Sequence, residues 1–281
     1  MTPPPVALTI AGSDPSGGAG IQADLKTFSA LGAYGTSVIT ALTAQNTRGV
    51  TGVHLVPGGF VTEQLRTLVA DVRIDAIKIG MLSTREVAEA VGDFLREVAC
   101  EIVVLDPVMV ATSGDRLLAP DAAEAVRRLL PLASLITPNL HEAADLLGAG
   151  VAPDLPGMRA QAVALLDAGA QRVLVKGGHL VNGPGWASGG RSLAVDVLAG
   201  PDGVHELTAP RIATTNTHGT GCSLSSAIAA LRPRHESWLG AVSEAKAWLT
   251  GALAAADTLQ IGSGHGPVHH FHALWPAPVI M

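Results

Sequence analysis

Along this chain of 281 residues, short apolar runs alternate with longer stretches whose apolar positions recur every three or four residues. The first run, Val6-Ala7-Leu8-Thr9-Ile10-Ala11, stops at Gly12-Ser13-Asp14-Pro15 and predicts a buried strand followed by a turn. The period then changes: Ile21, Leu25, Phe28 and Leu31 fall on one helical face, which Gly32 closes. Residues 37–43 are β-rich, and 50–56 read as an edge-like strand. Amphipathic helix is expected over 60–72, 84–98, 120–130, 141–147 and 156–168. Between these lie apolar strands at 76–79, 102–105, 135–136 and 172–176, each ending on a polar or glycine turn. Two strand-like stretches flank Gly200-Pro201-Asp202-Gly203, the pattern of a hairpin, and two helices follow from Gly221 and over about 237–259. Strands alternating with helices predict an α/β fold. The expected form is a three-layer αβα sandwich with a mostly parallel central sheet and ligands at the carboxyl ends of its strands.

No internal repeat and no linker interrupts this alternation, so residues 1–281 are expected to form a single domain. The loosest segment, 182–191, reads as a surface loop. Hydrophobic residues make up 48% and aromatics 3%, so the core must be built from Ala, Val, Leu and Ile, which suits parallel strands covered by helices on both faces. The net charge of -6, with no basic cluster and few aromatics, argues against nucleic-acid binding. No run approaches the ~20 apolar residues of a membrane span, and the N-terminus lacks a basic signal region. Two cysteines make no disulfide framework, and a reducing cytoplasm is the expected compartment.

The densest chemistry lies in Thr215-Asn216-Thr217-His218-Gly219-Thr220-Gly221-Cys222, a glycine turn that feeds a helix of small residues. A helix start carries backbone N–H groups without intrahelical acceptors and a partial positive charge, and glycines let an anion approach them. Cys222 would project from the first turn beside that anion site. A thiol there is expected to have a lowered pKa and to serve as base, nucleophile or hydrogen-bond donor. The alternative is a glycine turn with a small core cysteine.

Other polar residues collect just past strand ends. Asp106 precedes Pro107, while Asn139 and Glu142 share one turn at a helix start, where Asp106 and Glu142 can hold Mg²⁺ directly or through water. Helix capping and surface charge explain the same residues equally well. Lys176 ends a very apolar strand, where a lysine is costly unless it is paired or faces a cleft, so a phosphate partner is plausible. The loop Gly12-Ser13-Asp14-Pro15-Ser16-Gly17-Gly18-Ala19-Gly20 lacks the signatures of a P-loop or a dinucleotide site, yet it can close over a flat substrate. The histidines of 264–272 have no Cys or Glu at a zinc spacing.

Taken in order, these segments resemble the hydroxymethylpyrimidine/phosphomethylpyrimidine kinases of thiamine biosynthesis, members of the ribokinase-like superfamily. The matching stretches are 11–28, Thr43-Ala44-Gln45-Asn46-Thr47, Lys78-Ile79-Gly80-Met81-Leu82, Asp106-Pro107-Val108-Met109, Thr137-Pro138-Asn139-Leu140-His141-Glu142, Val175-Lys176-Gly177-Gly178-His179 and 216–222. The resemblance implies ATP- and Mg²⁺-dependent phosphorylation of 4-amino-5-hydroxymethyl-2-methylpyrimidine, then of its monophosphate. It implies that Gln45 hydrogen-bonds the pyrimidine ring and that Gly12, Asp24, Met81 and Val108 line the same pocket. It further implies that Asn139, Glu142, Lys176 and Thr217 serve the nucleotide phosphates. Gly219, Thr220 and Gly221 would form the anion hole beside Cys222, in a homodimeric enzyme. Pyridoxine and pyridoxal kinases share the fold and are the nearest alternative, with a non-catalytic pyrimidine-binding protein as a further one. The loop 183–190 is longer than the resemblance leads one to expect, and His269 stands where asparagine is often found.

Overall fold

A computed structural model describes residues 2–109, 122–178, 187–188 and 191–275. In chain order the described strands are β1 (Val6–Ala11), β2 (Tyr34–Ile39), β3 (Ala41–Asn46), β4 (Gly49–Leu55), β5 (Ala76–Ile79) and β6 (Val103–Leu105). They continue with β7 (Leu135–Ile136), β8 (Val173–Lys176), β9 (Ala187–Ser188), β10 (Arg191–Gly200) and β11 (Gly203–Pro210). The α-helices are α1 (Gly20–Ala30), α2 (Gly58–Val69), α3 (Arg85–Glu97), α4 (Ala122–Arg127), α5 (Leu140–Leu147), α6 (Leu155–Asp167), α7 (Thr220–Leu231) and α8 (Trp238–Ala254). The expected helix over 120–130 is found in its described part as α4. The loop 183–190 lies outside the described residues except for the short β9.

The main sheet runs β11-β10-β8-β7-β6-β5-β1-β2, with β9 paired to β10. From β8 to β2 neighbouring strands are parallel, whereas β10 and β11 add an antiparallel edge. Successive strand residues point to opposite faces, so each strand feeds two cores. Leu8, Ile77, Val103 and Val173 pack against α2 to α6, while Ala7, Ala76, Val104 and Leu174 pack against α1, α7 and α8. This is the expected three-layer sandwich.

The β-rich run over 37–43 proves to be two strands broken at Thr40. Its amide donates to Ala11 O, its hydroxyl to Met81 O at 2.6 Å, and its carbonyl accepts from Val56 N–H. Those bonds turn the chain out of the sheet, so β3 pairs with β4 in a separate two-stranded hairpin beside the site.

Helix starts differ in a way that matters for function. Thr84, Asp154 and Ser237 cap α3, α6 and α8 with side-chain oxygens, and Asn139 with Glu142 forms a capping box on α5. By contrast α7 opens on Gly219 at φ 77°, with no side-chain cap. That backbone conformation favours glycine, and a Cβ there would stand 1.7 Å from Gly18 O.

Candidate active site

Strand ends β1, β5, β6, β7 and β8 deliver Gly12, Met81, Asp106, Asn139 and Lys176 to one edge of the sheet, with the start of α7 facing them. Chain order reverses direction at β1, between β2 and β5, and a doubly wound sheet opens its crevice at such a switch. The resulting cleft of about 1180 Å³ is lined by Gly12, Gln45, Met81, Val108, Asn139, Glu142, Lys176, Thr217 and Gly219 to Cys222. That volume exceeds the range of about 300–1,000 Å³ usual for one small ligand, and suits two.

At the centre of the cleft, Lys176 Nζ donates to Asp106 Oδ1 at 2.6 Å and stands 3.8 Å from Glu142 Oε2. Burial works against the lysine's charge, but Asp106 and then Glu142 outweigh it and raise its pKa. Asp106 also accepts from Thr137 Oγ1 at 3.1 Å. Burial pushes the Glu142 carboxyl up to about 7, with Lys176 opposing and Asp106 adding to the shift. Both readings of Asn139 and Glu142 hold together. Asn139 Oδ1 accepts from the amides of His141 and Glu142, and Glu142 Oε2 accepts from Asn139 N–H at 2.7 Å. They cap α5 and still line the cleft.

The α7 N-terminus faces this group. A Cβ on Gly221 would stand 3.2 Å from Lys176 Nζ and 3.6 Å from Asp106 Oδ2. Thr220 spends its amide and hydroxyl on Thr217 O, and Ser223 N–H bonds Gly219 O. The amides of Gly221 and Cys222 meet no acceptor among the described residues. Two unpaired donors beside a cation make an anion site.

Two expectations need correction. Asp24 does not line the cleft: it is 0% exposed, bonded to Lys78 Nζ at 2.9 and 3.0 Å, Thr9 Oγ1 at 2.6 Å and Ser226 Oγ at 2.7 Å. It is the counter-ion of a lysine set into strand β5, and hence a structural group. The Cys222 thiol is not acidic either. Burial pushes it up to about 11, against the pull of Lys78 and an N–H bond from Gly20. The dipole of α7 is outweighed because the protein around the thiol solvates a thiolate poorly.

Sequence reasoning passed over Lys78, Asp14 and His218. Lys78 sits in Ala76-Ile77-Lys78-Ile79, where burial of an ammonium demands a partner, the same signal that marked Lys176. His218 Nε2 lies 2.7 Å from Asp14 Oδ2, a pairing across 204 positions that no local pattern reveals.

The family model for phosphomethylpyrimidine kinase matches residues 14–269. The chain belongs to the phosphomethylpyrimidine kinase family. It is 58% identical over 272 residues to the hydroxymethylpyrimidine/phosphomethylpyrimidine kinase of Salmonella typhimurium, covering 96% of this chain and 98% of that one. Among solved structures, the phosphomethylpyrimidine kinase of Clostridium difficile superimposes with a TM-score of 0.76 at 39% identity, covering 89% of this chain and 99% of that one. A pyridoxal kinase of Bacillus subtilis, solved as an ADP complex, gives 0.84 at 34% identity, covering 96% and 98%. A chain in this kinase family needs room for a phosphoryl donor and an acceptor, which the cleft volume provides.

Proposed function

We propose that this chain, acting as one kinase domain over residues 1–281, phosphorylates the hydroxymethyl group of 4-amino-5-hydroxymethyl-2-methylpyrimidine with ATP. It then phosphorylates the monophosphate to the pyrophosphate. The observation that carries this reading is the start of α7: uncapped amides on Gly221 and Cys222 converge with Lys176 and Asp106 on one point of the cleft. Gln45, Gly12, Met81 and Val108 would take the acceptor, and the apolar Ala194, Ala209, Ile212 and Leu249 of the same cleft would take the donor's base. The higher structural similarity to a pyridoxal kinase supports a shared scaffold. The 58% identity to the pyrimidine kinase, against 34%, favours the pyrimidine.

Phosphoryl transfer asks the protein mainly for positioning and charge stabilisation. The Gly221 and Cys222 amides donate to the equatorial oxygens of the moving phosphoryl, in a pocket where Gly219 and Gly221 keep side chains away. Lys176 neutralises charge as it shifts toward the donor phosphates. Cys222 accepts a hydrogen bond from the attacking hydroxyl and orients it. With a thiol near 11, Cys222 is already protonated and takes no proton; the hydroxyl proton leaves late, after bonding to phosphorus has made it acidic, to an oxygen of the transferred phosphoryl group. Lys78, buried behind Cys222 and raised in pKa chiefly by Asp24 against its burial, adds a fixed positive charge beneath the point of transfer.

The donor set fits Mg²⁺, which favours one or two carboxylates plus phosphate oxygens. Asp106 and Glu142 would hold it, because Glu142 Oε1 makes no hydrogen bond among the described residues and Asp106 lies across Lys176 from it. When bound, Mg²⁺ supplies charge neutralisation for the phosphates. We further read the enzyme as a cytoplasmic homodimer. No described helix is long and apolar enough to cross a membrane. On the β3–β4 hairpin, Leu42, Val53 and Leu55 are 45–48% exposed, apolar surface that a second copy would cover. Incubating the protein with ATP, Mg²⁺ and the hydroxymethylpyrimidine, and following products by mass spectrometry, should show the monophosphate and then the pyrophosphate. Absence of any phosphorylated pyrimidine overturns the reading.

A further inference from the structure

The cleft wall contains a buried pair that phosphoryl transfer does not use. Asp14 is 1% exposed and His218 8%, with His218 Nε2 at 2.7 Å from Asp14 Oδ2. The same carboxylate gathers the glycine loop around itself. It accepts from the amides of Ser16, Gly18 and Ala19 at 2.8–3.2 Å and from the Ser16 hydroxyl at 2.7 Å. Burial opposes its ionisation, yet the hydrogen bonds from His218, Ser16 and Ala19 hold it below the usual carboxylate range. A nitrogen 2.7 Å from an ionised carboxylate must carry the proton between them.

That assignment decides the state of Gln45. The amide nitrogen of Gln45 stands 3.4 Å from the same His218 Nε2, which has no lone pair left to accept from it. At the other end, Gln45 Oε1 is 3.1 Å from Thr43 Oγ1, whose single proton is already claimed by Ser13 O at 2.8 Å. Exchanging the two ends of the amide, a half-turn that leaves the side chain's shape unchanged, removes the donor–donor clash with His218 and gives Thr43 a donor. Oε1 then faces the His218 Nε2–H at about 3.4 Å as a second, weaker acceptor beside Asp14, and the NH₂ group donates to the free lone pair of Thr43 Oγ1. One N–H of Gln45 remains, and the cleft is where it can be used. The imidazole cannot swing away to undo this, because it lies against the loop where a Cβ on Gly18 would meet His218 Cδ2 at 2.4 Å.

We propose that His218, held by Asp14, is a positioning residue that locks the Gln45 amide with a hydrogen-bond donor toward the pyrimidine pocket. The site thereby selects heteroaromatic rings that present an acceptor nitrogen at that point. The inference rests on the reading of Gln45 as a ring contact, and a double-mutant cycle separates the two. His218→Leu should raise KM for the hydroxymethylpyrimidine about fivefold while KM for ATP changes less than about twofold, the scale of one shared buried hydrogen bond. In a Gln45→Leu background the same substitution should add less than about twofold. His218→Gln, which returns an N–H near the position of Nε2, should recover most of the affinity, a rescue that a packing role would not produce.

If Gln45→Leu leaves the pyrimidine KM unchanged, the ring contact itself is wrong, whatever His218 does. If Gln45→Leu raises KM but His218→Leu is silent, or adds its full factor in the double variant, the positioning role is wrong and the ring contact stands. Should the leucine variant fail to fold, His218→Asn, polar and too short to reach either partner, takes its place in the cycle with the same expected factors.

Discussion

Lys78→Met removes the cation at the floor of the cleft without changing its volume greatly. In the parent, Lys78 Nζ donates to both oxygens of Asp24 at 2.9 and 3.0 Å, and both side chains are 0% exposed. The variant leaves a buried carboxylate supported only by the hydroxyls of Thr9 and Ser226. Breaking a buried ion pair by removing one partner costs about 3–5 kcal/mol. Two surviving hydroxyl bonds to the carboxylate put the expected loss at the lower end, about 3 kcal/mol. Neutralising the partner as well, in Lys78→Met/Asp24→Asn, removes the stranded charge and keeps an amide for the hydroxyls, so stability should return to within about 1 kcal/mol of the parent. Urea unfolding followed by circular dichroism, with matched slopes, measures both values. The recovered double variant should still turn over slowly, because no cation then stands behind Cys222. The ammonium's pKa is raised on folding, so the pair's contribution is complete below the unfolded lysine value of about 10.4 and is lost as pH rises through the folded one. A single variant as stable as the parent, or a double variant no better than the single, refutes the reasoning.

Cys222, with its thiol near 11, should react slowly with iodoacetamide at neutral pH and faster as pH climbs toward that value, while Cys222→Ala should lower kcat with little change in KM for ATP. Since burial lifts the Glu142 carboxyl to about 7, its ionisation opposes folding. Stability should therefore fall as pH rises from about 4.3 through 7, and Glu142→Gln should flatten that slope in thermal melts. Gly219→Ala forces a Cβ onto a left-handed backbone and into Gly18 O. Loss of about 1–2 kcal/mol from the backbone alone, plus the clash, should show in the urea midpoint together with a sharp fall in kcat.

The alternation of apolar runs and helical periods made the sandwich legible, because parallel strands buried on both faces leave little room for polar residues. The hairpin was blurred for a reason of scale. Thr40 ends one strand and starts another through bonds to Ala11, Val56 and Met81, all distant partners. The site was legible where chemistry is local: the glycine turn before α7, the lysine closing β8, and the Asn139–Glu142 spacing. It failed where the deciding term was burial or a long-range pair. Asp24 in a helix gives no sign of Lys78 beside it, and a thiol at a helix start gives no sign of the enclosure that makes it basic. Asp14 and His218 belong to two loops 204 positions apart.

Competition between substrates tests the proposed activity most directly. With hydroxymethylpyrimidine and pyridoxal offered together at equal concentration with ATP and Mg²⁺, the ratio of phosphorylated products gives the ratio of kcat/KM. An excess of the pyrimidine phosphate of about tenfold or more, falling sharply in Gln45→Leu, is the expected result. Preferential phosphorylation of pyridoxal by the parent enzyme would contradict it.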